Sequence, residues 1–249
     1  MTLLEICVDT AAGLRAAHAG GADRIELCSA LELGGLTPTA GLVALAAEMG
    51  ISARVMIRPR AGDFVFTPDD LDMMRADIAA ARSAGLEGVV LGASRPDGTL
   101  DLDMLGALVE ASAGLQKTLH RAFDLVPDIA TAIEQAVALG FDTILTSGRA
   151  ASALAGLDDL VLAQKQAAGR ITIMAGAGIE ATNVGRILAA APIGAIHGSC
   201  SAPIPGDTDP AQRLGFVSPG RRQTDVGRVR ALKAALGRTG TSCKSLNCP

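Results

Sequence analysis

The chain contains no tryptophan and no tyrosine, and apart from three histidines its aromatic side chains are five phenylalanines among 249 residues. With so little to stack on bases, and a net charge of −4 where a basic surplus would be needed, it lacks both features by which proteins hold nucleic acid. No stretch approaches the ~20 uncharged apolar residues of a membrane helix. The opening run MTLLEICVD is too short and too acidic for a secretory leader, so no membrane partner and a cytoplasmic location are expected. Five cysteines do not make a disulfide framework in a chain of this length, and the odd count leaves free thiols. Also missing are three chemical signatures. No glycine-rich dinucleotide fingerprint follows the first apolar segment, where Val8-Asp9-Thr10-Ala11-Ala12-Gly13 stands instead. No G-x-S-x-G nucleophile elbow occurs, and no lysine ends an expected strand to form a Schiff base.

What is present is repetition. Short Val/Ile/Leu-rich runs near 3–8, 24–28, 53–58, 88–92, 117–121, 142–146, 171–175 and 194–198 alternate with Ala-rich helical patterns. Gly21, Gly85 and Gly140 stand where a helix ends in a left-handed residue just before the next strand. Alternation of strand and helix implies parallel strands joined by right-handed crossovers, and eight such units close into a TIM (β/α)8 barrel more readily than they stay open. A single α/β domain over 1–237 is expected, with a doubly wound open sheet as the weaker alternative. Residues 238–249 read as a polar tail whose Cys243 and Cys248 are too sparse a pair to specify a metal site. Residues 199–220 carry four prolines and little periodicity, and a last helix is expected near 222–237.

Alternate strand residues point to opposite faces, and the helix-facing side must be apolar, so the charges must face the barrel axis. That places Glu5, Cys7 and Asp9, then Glu26 and Cys28, then Met56, Arg58 and Arg60, then Thr118 and His120, and finally His197 and Ser199 toward one interior. So many ionisable groups in a barrel are costly unless they pair or hold a ligand. One reading is a structural network in which Glu5 and Glu26 bond to Arg58. The other is a site, because the C-terminal ends of barrel strands carry the chemistry of this fold. Glu26, Arg58, His120 and Asp124 are the candidate catalytic groups, with Arg58 and Arg60 as a bidentate clamp for a carboxylate or phosphate. The small residues that end the last three strands, Ser147, Gly148, Gly176, Gly178, Gly198 and Ser199, would join Arg60 in an anion site built on bare backbone N–H groups, or would only make tight turns.

Several longer runs resemble one family. Glu26-Leu27-Cys28-Ser29-Ala30-Leu31, Gly34-Gly35-Leu36-Thr37-Pro38, Val55 through Phe64 (VMIRPRAGDF), His120-Arg121-Ala122-Phe123-Asp124, Leu145-Thr146-Ser147-Gly148, Ile173 through Gly178 (IMAGAG) and His197-Gly198-Ser199 are similar, in order and spacing, to those of the CutC family over about residues 3–237. This resemblance implies a cytoplasmic, often dimeric TIM barrel of copper homeostasis, with a homodimer as the expected assembly. It also implies Cu(I) held by thiolates, for which Cys7 and Cys28 are the candidates on adjacent strands, with His120 or Met56 to complete the site. The alternative is a lyase, isomerase or hydrolase acting on a small phosphorylated or carboxylated metabolite at the rim, and a third is a barrel kept only as a scaffold.

Overall fold

A computed structural model describes residues 2–204, 210–215 and 220–241. Eight parallel strands form a closed barrel in sequence order: β1 (Leu3–Val8), β2 (Arg24–Leu27), β3 (Ala53–Met56), β4 (Gly88–Leu91), β5 (Gln116–Leu119), β6 (Thr143–Thr146), β7 (Thr172–Ala175) and β8 (Ala195–Gly198), with β8 returning to pair with β1. Helices α1 (Ala11–Gly20), α2 (Ala40–Glu48), α3 (Pro68–Ser83), α4 (Leu102–Ala111), α5 (Ile129–Ala138), α6 (Leu157–Ala167) and α7 (Val184–Ala190) alternate with them. The expected TIM barrel is therefore what the chain forms. Among the described residues no helix is long and apolar enough to cross a membrane.

The loops after the strands start their helices with side-chain caps, so the rim is fixed locally. Thr10, Thr39, Asp101 and Asp128 each accept a hydrogen bond from the backbone N–H three residues on. Thr67 does so within a capping box with Asp70, just before Pro68. At the opposite end Gly21, Gly85 and Gly140 have φ of 87°, 74° and 80°, the left-handed conformation their spacing predicts.

Strand parity separates the two interiors. Leu4, Ile6 and Val8 of β1, with Ile25 and Leu27 of β2, join the large apolar core between barrel and helices. The axial residues instead form small apolar clusters, one of Cys7, Cys28, Met56 and Val90 and one of Leu145, Met174 and Ala195, separated by ionic groups. On the axis, Arg54 bonds Thr118, Thr143 and Gln116, while Arg24 bonds Glu5.

The chain after β8 departs from the expected loop and helix. Strand β9 (Ser201–Pro203) pairs antiparallel with β10 (Arg222–Thr224), a one-turn helix α8 (Pro210–Arg213) lies between them, and the last helix α9 (Val226–Thr241) begins later and ends later than 222–237. Asp225 caps it, its carboxylate accepting from the Arg228 N–H at 2.8 Å. Cys243 and Cys248 lie outside the described residues; Cys7, Cys28 and Cys200 are free thiols, as expected.

Candidate metal centre and cavity

A cavity of about 530 Å³ opens at the C-terminal ends of the strands. Its floor includes Cys7, Glu26, Met56 and His197, one wall holds Arg58, Phe64 and His120, and Glu180, Arg222 and Arg228 stand at its mouth.

The floor is built by barrel register. In the β1/β2 ladder Glu5 faces Arg24 and Cys7 faces Glu26, and in the β1/β8 ladder Glu5 faces His197. Glu5, completely buried, accepts from Arg24 Nε on one oxygen, and its other lies 2.8 Å from His197 Nδ1. Burial would raise the Glu5 carboxyl, but the His197 hydrogen bond and the Arg24 charge overcome it and hold it at about 2. With Nδ1 turned to Glu5, His197 Nε2 faces Glu26, 3.8 Å from Oε2. One donor atom each from Cys7, Glu26 and His197 lie within 4.8 Å of one another. Burial pushes the Glu26 carboxyl up, opposed by His197 and reinforced by Glu5. For His197, burial disfavours the charged ring, but Cys7 and Glu26 outweigh it and raise it well above the ordinary range. Glu26 Oε1 is buried without a hydrogen-bond partner, and the Cys7 thiol lies 3.7 Å from the Gly198 carbonyl and within reach of His197.

Cys28 stands one layer toward the strand ends from this set. Its thiol points to Glu26 Oε2 at 3.4 Å, it does not line the cavity, and burial with Glu26 and Cys7 beside it pushes it well above the ordinary thiol range. The structure thus brings Cys7 together with Glu26 and His197, with Cys28 one layer nearer the strand ends, beneath Gly35, where a Cβ would lie 3.2 Å from its sulfur.

The other expected site residues divide. Arg58 and His120 line the cavity with Glu26, but Arg58 does not bond Glu5 or Glu26 as the network reading had it, because Arg24 occupies that level of the axis. The Arg58 guanidinium instead donates to the carbonyls of Leu33, Gly35 and Gly62. Nor do Arg58 and Arg60 form a clamp. Arg60 lies beyond the end of β3, where the loop turns outward, and it bonds Asp63, Asp70 and the Val65 carbonyl. Asp9 likewise accepts from the Leu31 N–H and does not reach the cavity.

Asp124 is a staple between loops. Its carboxylate takes hydrogen bonds from the Thr146 hydroxyl (2.6 Å), Arg121 Nε (2.6 Å), the Ser147 hydroxyl (3.0 Å) and the Ser147 and Arg149 backbone N–H groups (3.1 Å each). Those bonds use the N–H groups that Ser147 and its neighbours were expected to offer an anion, and the Gly148 N–H goes to the Thr146 hydroxyl. Of the proposed anion set, Gly178, Gly198 and Ser199 line the cavity, while Arg60, Ser147, Gly148 and Gly176 do not.

Two residues gain importance only in three dimensions. Arg24 shares inward parity with Glu26, and that parity was the signal available for it. His197 was read as inward but given no ligand role.

The comparisons with known proteins agree with this architecture. A CutC family protein of Agrobacterium fabrum is 54% identical over 94% of this chain and 94% of its own length, and one of Caulobacter vibrioides is 53% identical over 93% and 96%. The crystal structure of CutC from Streptococcus agalactiae, named for copper homeostasis, has 33% identity and a TM-score of 0.76, covering 80% of this chain and 99% of that one. The phosphoribosylanthranilate isomerase of Thermotoga maritima, at 12% identity and a TM-score of 0.55, shares the fold alone. The model of the CutC family matches residues 2–202, and the chain belongs to that family.

Proposed function

We propose that this protein takes part in copper homeostasis by binding Cu(I) at the barrel floor, with the Cys7 sulfur and His197 Nε2 as principal ligands and the Glu26 carboxylate as the third. The observation that carries this reading is the convergence of these three donors within 4.8 Å, with His197 Nδ1 tied to Glu5. A carboxylate on the far ring nitrogen is the usual support of a metal-bound histidine, since it fixes the ring and makes the other nitrogen a better donor. Thiolate and imidazole suit Cu(I), and the polarizable Met56 sulfur packs beside Cys7. The unpartnered Glu26 Oε1 fits a place where a cation would complete the coordination. Copper is here the cargo, and the barrel supplies a reducing, half-closed cradle from which it can leave through the open rim. A cytoplasmic homodimer accompanies this reading on family grounds, and sedimentation at micromolar concentration checks the assembly.

An anaerobic Cu(I) titration against a competing chelator tests the proposal on the full chain and on Cys7→Ser, His197→Asn and Cys28→Ser, each verified as folded by circular dichroism. Cys7→Ser and His197→Asn are expected to lose tenfold or more in affinity, and Cys28→Ser less. Unchanged affinity in both of the first two variants would end this assignment.

A further inference from the structure

The cavity is far larger than one ion needs, and its opposite wall carries an unanswered chemistry. Arg58 is 5% exposed, yet among the described residues it is paired with no carboxylate. Its three acceptors are neutral carbonyls, its Nε has no partner, and Arg60 is the neighbouring charge. The other axial arginines are better compensated: Arg24 has Glu5, and Arg54 lies in the field of Glu5, Asp142 and Glu87. A buried cation without a counter-charge is among the costlier arrangements a fold can keep.

Beside it, His120 is 3% exposed, and its Nδ1 accepts the Ala122 N–H at 3.1 Å. That bond leaves the ring neutral with its proton on Nε2, which is buried without a partner. The Phe64 ring stands between the two groups, with the His120 ring centroid 4.7 Å from its own and Arg58 Cζ 5.0 Å from it. All three side chains line the cavity. Two desolvated donors, one of them cationic, thus flank one apolar ring at the edge of an open space.

We infer that Arg58, His120 and Phe64 form a binding site for the carboxylate of a small organic acid, whose carbon skeleton occupies the cavity. A carboxylate offers two acceptor oxygens and the single negative charge that Arg58 lacks, and such a pairing with an ionised donor is among the stronger hydrogen bonds. Phosphate has more oxygens than these two donors can satisfy, and the remainder would be left unpaired against Phe64 and Leu145. At the mouth Glu180 answers Arg228 at 3.8 Å, and Arg222 leaves a net positive charge toward an entering anion. The apolar part of the ligand would meet Phe64, Leu145 and Ile179. The site needs no copper.

The test uses metal-free protein, so that failure here and failure of the copper assignment remain separate results. Calorimetric titrations with acetate, lactate, succinate and inorganic phosphate are paired with nitrogen NMR of the His120 Nε2–H. At least one carboxylate is expected to bind, to shift the Nε2–H resonance, and to bind tenfold or more weakly to His120→Phe, which keeps the packing on Phe64. Arg58→Met is expected to weaken binding further; should it fail to fold, the His120→Phe result decides. The inference is overturned if no carboxylate binds at 50 mM, if phosphate binds in preference, or if binding leaves the Nε2–H resonance and the His120→Phe affinity unchanged.

Discussion

His120 makes the stability of this barrel depend on pH in a way that can be isolated. Burial first, and then the Arg58 charge, depress the imidazole from 6.5 to about 3 in the folded chain. Between those values the unfolded chain binds a proton that the folded chain refuses, so the contribution of His120 is fully present above 6.5 and is lost progressively as pH falls toward 3. From pH 7 to pH 5 the unfolded imidazole becomes almost fully charged, and the loss comes to about 2 kcal/mol. Other groups titrate in the same range, so the measurable quantity is a difference. Urea unfolding of wild type and His120→Phe at pH 7, 6 and 5 should give curves that converge by about 2 kcal/mol as pH falls. The variant is less stable at pH 7 by a constant amount, because the Ala122 N–H loses its acceptor at a cost of roughly 1–3 kcal/mol, and that penalty does not vary with pH. Parallel stability curves for the two proteins would refute both the buried neutral state of His120 and the tautomer deduced from its hydrogen bond.

Glu5→Gln removes the charge that answers Arg24 and the acceptor that orients His197. It should cost roughly 3–5 kcal/mol in unfolding experiments and lower Cu(I) affinity by about 10–100-fold in the fraction that folds. Asp124→Ala should destabilise by roughly 3–5 kcal/mol, because the Ser147 and Arg149 N–H groups and the Thr146 hydroxyl lose their shared acceptor; a thermal melt within a degree of wild type would show that water replaces it. Gly148→Ala puts a methyl 2.1 Å from the Gly156 carbonyl oxygen at φ +71°, so a loss of roughly 3 kcal/mol is expected by calorimetry, with Gly50→Ala, at φ +63° and in open space, losing less.

The sequence by itself determined the barrel. The period of its apolar runs and the left-handed glycines Gly21, Gly85 and Gly140 are local features, and local physics is enough to read them. Parity also gave the inward face of Glu5, Cys7, Glu26, His120 and His197, since a strand side chain has only two directions to point. Tertiary structure decided which of these groups meet. The height of a residue along the axis depends on the stagger between strands, which a single strand does not encode. That stagger sets Glu5 level with Arg24 and His197, leaving Arg58 to the loop carbonyls, and sets Cys7 beside Glu26 and His197, with Cys28 a layer nearer the rim. Loop residues were less legible still. Arg60 and Asp124 carry the right chemistry for a site, but once the chain leaves a strand its direction is set by long-range partners, and both side chains spend their hydrogen bonds on the loops that hold the rim.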